Sequence, residues 1–396
     1  MEDVAIIIGR KINDNINREL IFDKILKDRN INPFFLIPGQ NISDISLNDE
    51  DLKTFSDANV IKFNSMEEFK RITKNFERYL VASWRDYLGL TNFLRKSKKK
   101  ITVYSEAGGI DYWSLGVRNC LIKSQSNIDV YCNGRRNLII NFYKKIFLKL
   151  KITGSIRYEY VNSHLYKDIK NDKKLIVFFP KSLSKMSSTL KWWYPSKGEE
   201  WVNRELKIIE QNYIDVAKKI KELDCNFIVK LHYASEDSFF SNDKDYDKRF
   251  WKKNGCEIFS GDERNLYNQL DLGIGIETHS AIDVNLHKKP FIYIFPEQNI
   301  RPTTRGFALD KLFQKDKIGA HGFNQDFGVR KNFINKLWLP YWYGSLCKID
   351  QLENCINDII ETPPDIKLCE KISEYYWGNK FGEIASPKII DNFLLN

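Results

Sequence analysis

The stretch Leu272–Ile294, LGIGIETHSAIDVNLHKKPFIYI, decides the fold. It opens on an apolar run, Leu272–Ile276, that is too short for a helix and carries two glycines. The polar turn Glu277–Ser280 follows. Ala281–His287 then shows helical spacing, Lys288–Pro290 stops it, and a second apolar run fills Phe291–Phe295. Strands that are apolar on both faces and separated by a helix are what a covered parallel sheet needs. Ser280 is expected at the N-cap of the helix, where its hydroxyl serves either the helix itself or a bound phosphate.

The same alternation extends outward. Leu175–Pro180 predicts a strand, followed by a Ser/Lys-rich loop and a helix over Asn203–Leu223. Asn226–Leu231 and Cys256–Phe259 read as strands and Asp262–Leu270 as a short helix. In the first half, Val4–Gly9, Phe34–Ile37, Val60–Phe63, Tyr79–Ala82 and Ile101–Tyr104 are the expected strands. Asn133–Lys151 predicts a basic amphipathic helix, with Leu138, Phe142, Ile146 and Leu150 on one stripe. Polar Asn162–Lys174 reads as the link between halves. Helices at Ile366–Tyr376 and Ser386–Leu395 have no strand after them. The expected organisation is α/β, with two Rossmann-like domains over residues 1–165 and 166–364 meeting at a cleft, and terminal helices over 365–396.

Composition removes several classes. Hydrophobic residues make up 42% and charged residues 29% of the 396, a globular mix and not a disordered one. Lysine and arginine exceed the acids by 10, which favours anionic ligands. The longest apolar runs, such as Leu175–Phe179, fall far short of the ~20 residues of a membrane span. Glu2 and Asp3 replace the basic start of a signal peptide. The seven cysteines are scattered without a C-x-x-C pair, as expected for reduced thiols and no metal site. A cytoplasmic protein is expected, at most resting on the inner membrane face through a cluster such as Lys96–Lys100. No G-x-G-x-x-G, P-loop or RNA-binding motif occurs, so dehydrogenase, P-loop nucleotidase and nucleic-acid partners drop out.

Chemistry concentrates at strand ends. Strand Asn226–Leu231 runs into His232 in FIVKLHYASED, and Leu272–Ile276 runs into Glu277, Thr278, His279 and Ser280. In the first half, TVYSEAGGIDYW carries Glu106 into a loop with Gly108 and Gly109, followed by Asp111. The glycines let a substrate approach the backbone, and a partly desolvated Glu106 suits a general base; Asp111 is the reserve. Glu106 alternatively caps the turn that follows it.

In order along the chain, KKLIVFFPKSLSK (Lys173–Lys185), KLHY (Lys230–Tyr233), IETHSAIDVNLHKKPFIYI (Ile276–Ile294), RPTTRGF (Arg301–Phe307) and FGEIASPKIID (Phe381–Asp391) resemble the CDP-glycerol glycerophosphotransferases of teichoic acid synthesis. The resemblance spans about 220 residues, from Lys173 onward. Sialyl- and Kdo-transferases of the same GT-B architecture are similar in using His-Pro and Ser-Ser motifs on a cytidine nucleotide. The resemblance implies a nucleotide donor, CDP- or CMP-based, bound in the second domain, with the last helices crossing back to the first. It implies that His232 and Ser280 touch donor phosphate, with Lys181, Ser182 and Arg305 near it and Glu277 and His279 in the same turn. It implies a glycan or lipid-linked acceptor in surface polymer synthesis, a base in the Glu106 loop and no metal. Tyr233 stands where the family has Pro, His279 where it has an aromatic, and Ala281 where it has a second Ser. A 2-epimerase or hydrolase of the same architecture, or a non-catalytic nucleotide-binding module, remains a rival.

Overall fold

The computed structural model describes residues 2–8, 15–39, 55–82, 90–104, 128–132, 150–152, 154, 156, 172–184, 186–187, 190, 198–231, 245–260, 263–276, 278, 280–295, 342–374 and 383–395. The chain divides into two compact units, Met1–Leu165 with Ser373–Asn396, and Tyr166–Ile372.

In the first unit, strands β1 (Glu2–Ile7), β2 (Ile31–Pro38), β3 (Asn59–Phe63), β4 (Arg78–Ala82), β5 (Lys100–Tyr104), β6 (Ile128–Cys132) and β7 (Leu150–Ile152) form one sheet in the order β3-β2-β1-β4-β5-β6-β7. All pairs are parallel. Helices α1 (Asn15–Lys27), α2 (Met66–Ile72) and α3 (Leu90–Lys96) lie among these strands in sequence. The two-residue period of a strand sends alternate side chains of β1 to opposite faces. Val4 and Ile6 enter the core that holds Phe22 and Leu26 of α1, while Ala5 and Ile7 enter the core of Phe69 and Leu94. That two-sided burial is why VAII is uninterrupted apolar sequence.

The second unit repeats the scheme. Strands β8 (Leu175–Phe179), β9 (Asn226–Val229), β10 (Glu257–Ile258), β11 (Leu272–Gly275), β12 (Phe291–Phe295) and β13 (Gly344–Lys348) form a parallel sheet in the order β10-β9-β8-β11-β12-β13. Its helices are α4 (Glu199–Lys221), α5 (Tyr246–Lys253), α6 (Glu263–Gln269), α7 (Ser280–Leu286), α8 (Leu352–Ile360) and α9 (Ile366–Ile372). The apolar stripe of α4, including Ile209, Tyr213, Val216 and Ile220, packs with Ile176 and Phe178 of β8.

Three expectations change. Leu150 and Lys151, expected at the end of a basic helix, lie in β7, which pairs with β6; residues 133–149 lie outside the described part. Helix α7 begins at Ser280 itself, so Ser280 is not the N-cap. Of the two C-terminal helices, α9 packs on α7 of the second unit, and only α10 (Ser386–Leu395) joins the first, against α1.

Candidate functional site

In the second sheet the chain moves outward from β8 through β9 and β10, then returns to the other side of β8 with β11. The carboxyl ends of β8 and β11 therefore flank the topological switch point, where open α/β sheets bind ligands. The loop after β8 carries Lys181 and Ser182; the turn after β11 carries Thr278 and Ser280.

The β11 turn is set by its glycines. A Cβ on Gly273 would lie 2.6 Å from the Phe291 ring, and one on Gly275 would lie 2.6 Å from Cγ2 of Thr278 and 2.8 Å from the same ring. Glycine lets Phe291 cross the strand and Thr278 fold back over it. The Thr278 hydroxyl accepts the Ser280 N–H (3.2 Å) and donates to the Ser280 hydroxyl (3.1 Å). The buried phenol of Tyr293 donates to the Thr278 carbonyl at 2.7 Å. Below the turn, Asn285 is fully buried; its amide donates to the carbonyls of Lys289 (2.9 Å) and Tyr343 (2.8 Å), and its oxygen accepts from Tyr343 N–H (2.9 Å). The Ser280 hydroxyl is thus presented from a fixed frame.

The β8 loop is held from two helices. The Lys181 N–H donates to the Tyr213 phenol (3.0 Å), which donates back to the Lys181 carbonyl (3.3 Å). Tyr213 stacks on Trp251, and both rings meet Phe178 edge-on. Asp247, in the first turn of α5, accepts from Leu183 N–H at 2.7 Å and from the hydroxyls of Ser182 (3.1 Å) and Ser184 (2.8 Å). Ser182 is only 3% exposed, which makes it part of the loop's frame. Lys181 is half-buried.

The structure therefore brings Lys181, Ser182 and Ser280 to the two sides of one switch point. His232, Glu277, His279 and Arg305, and Glu106, Gly108, Gly109 and Asp111 of the first unit, lie outside the described residues. Thr278, Tyr293, Tyr213 and Asp247 complete the site's frame and were not singled out from the sequence. Thr278 had a visible signal, a hydroxyl in the polar turn after an apolar run; the others act across the fold. Nearby, burial pushes the Cys369 thiol of α9 up to about 11, helped by Asp365. Among the described residues, no three His, Cys, Asp or Glu side chains gather as a metal site, and no helix is long and apolar enough to cross a membrane.

No protein-family model matches the chain, and no curated protein matches it in sequence. Solved structures do match. The Staphylococcus aureus MnaA structure with UDP aligns at a TM-score of 0.56 and 13% identity, covering 100% of this chain and 96% of its own. The UDP-GlcNAc 2-epimerase of Neisseria meningitidis, bound to UDP-GlcNAc, aligns at 0.56 and 12%, covering both chains fully. The wall teichoic acid polymerase TagF, soaked with CDPG, aligns at 0.50 and 14%, covering 100% of this chain and 88% of its own. The chain has the GT-B fold. Its two parallel sheets are those of this fold, and the switch point of the second carries the hydroxyls and lysine described above.

Proposed function

We propose that this GT-B protein is a transferase that moves a glycosyl or glycerol-phosphate group from a nucleotide-activated donor to a hydroxyl of a glycan or lipid-linked acceptor in surface polymer synthesis. The observation that carries this is the switch point of the second sheet, bordered by a presented Ser280 hydroxyl on one side and Lys181 on the other. The ordered motifs from Lys173 onward support a cytidine nucleotide as donor.

In this reading the acceptor hydroxyl passes its proton to Glu106, or to Asp111, as its oxygen bonds to the transferred carbon or phosphorus. The bond to the nucleotide phosphate breaks. The departing negative charge is received by Ser280, His232 and the cations Lys181 and Arg305, with Glu277 and His279 lining the same turn. The exposed lysines 96, 98 and 100 suit a resting place on anionic lipid.

Transfer assayed with a hydroxyl acceptor tests the reading. Ser280→Ala is expected to weaken nucleotide binding by about 1–3 kcal/mol. Glu106→Gln is expected to cut turnover by ~10²–10⁴-fold with nucleotide affinity kept. If Glu106→Gln stays active and Asp111→Asn is dead, the base is Asp111. Unchanged affinity in folded Ser280→Ala overturns the donor site. A second reading, a nucleotide-sugar 2-epimerase, is favoured by the likeness to the Neisseria meningitidis UDP-GlcNAc 2-epimerase at a TM-score of 0.56. It requires UDP-sugar turnover without any acceptor.

A further inference from the structure

The carboxylate of Asp247 is 1% exposed, and the proposed reaction assigns it no step. Burying a carboxylate this deeply costs several kcal/mol unless donors surround it. Its donors all come from one turn. Oδ1 accepts from Leu183 N–H (2.7 Å); Oδ2 accepts from Ser184 N–H (3.4 Å) and from the hydroxyls of Ser182 (3.1 Å) and Ser184 (2.8 Å). The two hydroxyls also lie 2.8 Å from each other. Met186 N–H reaches back to the Ser182 carbonyl at 3.0 Å, so these residues open a helical turn. Successive N–H groups flanked by hydroxyls at the start of such a turn form the donor arrangement that elsewhere receives phosphate. Here the protein's own carboxylate fills it.

We infer that Asp247 is a built-in anion that occupies the turn after β8 and fixes it as a wall of the nucleotide site, so that donor phosphate is received across the switch point at the Thr278–Ser280 turn and not at Ser182–Ser184. The inference rests on the nucleotide reading above and goes beyond it by giving the β8 turn a positioning role. A phosphate at Ser182–Ser184 would have to displace Asp247 from its donors and would meet its charge at close range. Through those donors Asp247 ties the exit of β8 to helix α5.

The experiment uses the full chain, titrated with CDP and CMP, with hydrogen exchange read at the Leu183 and Ser184 amides. Asp247→Ala is expected to lose protection at both amides and to bind nucleotide about 10-fold or more weakly, as a buried charge-assisted cluster is removed. Added formate, which replaces the missing carboxylate, is expected to restore both. Ser184→Ala keeps the carboxylate, so it is expected to lose less affinity and to ignore formate. Unchanged affinity in folded Asp247→Ala overturns the role, as does lost affinity that formate does not restore. If Asp247→Ala does not fold, isosteric Asp247→Asn decides, and wild-type affinity in it overturns the role. Failure of the wild-type protein to bind any nucleotide is a separate result: it removes the functional reading, and this role with it.

Discussion

The position of one hydroxyl, that of Ser280, depends on the methyl group that Gly275 lacks. Gly275 leaves room for Thr278 to lie over β11, and Thr278 bonds the Ser280 N–H and hydroxyl. A Cβ there would also come within 3.1 Å of the Phe179 carbonyl, so the strand cannot relax toward β8. Gly275→Ala is therefore expected to push Thr278 outward. The overpacking should cost about 1–3 kcal/mol in denaturant unfolding, and nucleotide titration should show weaker binding. Wild-type affinity in this variant would separate the turn from the site. Cys369 gives a second readout beneath the same region, since α9 packs on α7. Its thiol is fully buried and raised from 9.0 to about 11, by burial and then by Asp365. Between those values the unfolded chain has lost the proton that the folded chain keeps. The contribution of Cys369 to stability is constant below pH 9 and falls as pH rises from 9 toward 11, by roughly 2–3 kcal/mol. Cys369→Ala should flatten that part of the stability–pH curve; an unchanged slope would assign the loss to other groups.

Among elements, helix α10 shows how a terminal segment is tied down. Ile389, Ile390 and Phe393 enter the core beside Phe22 and Leu26 of α1. Arg78, at the start of β4, donates to the last carbonyls of the helix, Phe393 (2.9 Å) and Leu394 (2.8 Å), and bridges to Glu2 at 2.9 Å. Arg29 pairs with Asp391. Phe393→Ala should cost about 3–5 kcal/mol, and Arg78→Ala about 1–2 kcal/mol through uncapped carbonyls. Hydrogen exchange should place both losses in the first unit, whose residues contact α10; loss spread equally over β8 and β11 would contradict this. Elements of this kind were legible in sequence to different degrees. β8, β11 and β12 read cleanly because burial on both faces leaves only apolar residues and turns bound them. β13 was not legible: GSLCK is half-buried at the sheet edge, pairs with β12 alone, and so keeps a mixed composition. β7, only three residues long, follows a lysine-rich stretch with helical spacing, and its pairing with β6 overrides that pattern. In the candidate site, Ser280 could be read from the polar turn that follows an apolar strand, whereas Lys181 was reached only through the family resemblance. Asp247 was not legible, because it is one acid among several in NDKDYDKRF, and only the fold brings it to Ser182, 65 residues away.

At the scale of the whole molecule, two parallel sheets that share the strand order 3-2-1-4-5-6, the first with a seventh strand added, raise the question of which one a nucleotide should stabilise. Each has a switch point, between β1 and β4 in the first and between β8 and β11 in the second. In the second, described hydroxyls and a lysine border it, and from Lys173 onward run the motifs whose resemblance implies a nucleotide donor. Protection by nucleotide should therefore appear in the second unit, at the amides of the β8 loop and the β11 turn. At 100 times its dissociation constant a ligand adds about 2.7 kcal/mol, which for a unit of this size corresponds to roughly 5–10 °C in its melting temperature. CDP or CMP is expected to give the larger shift than UDP or GDP. A larger shift with UDP would remove the cytidine assignment and favour the epimerase reading, which then requires turnover of a UDP-sugar without acceptor. Protection confined to the first unit would remove the switch-point site itself, because a phosphate held by Ser280 and Lys181 must slow exchange at the turns that carry them.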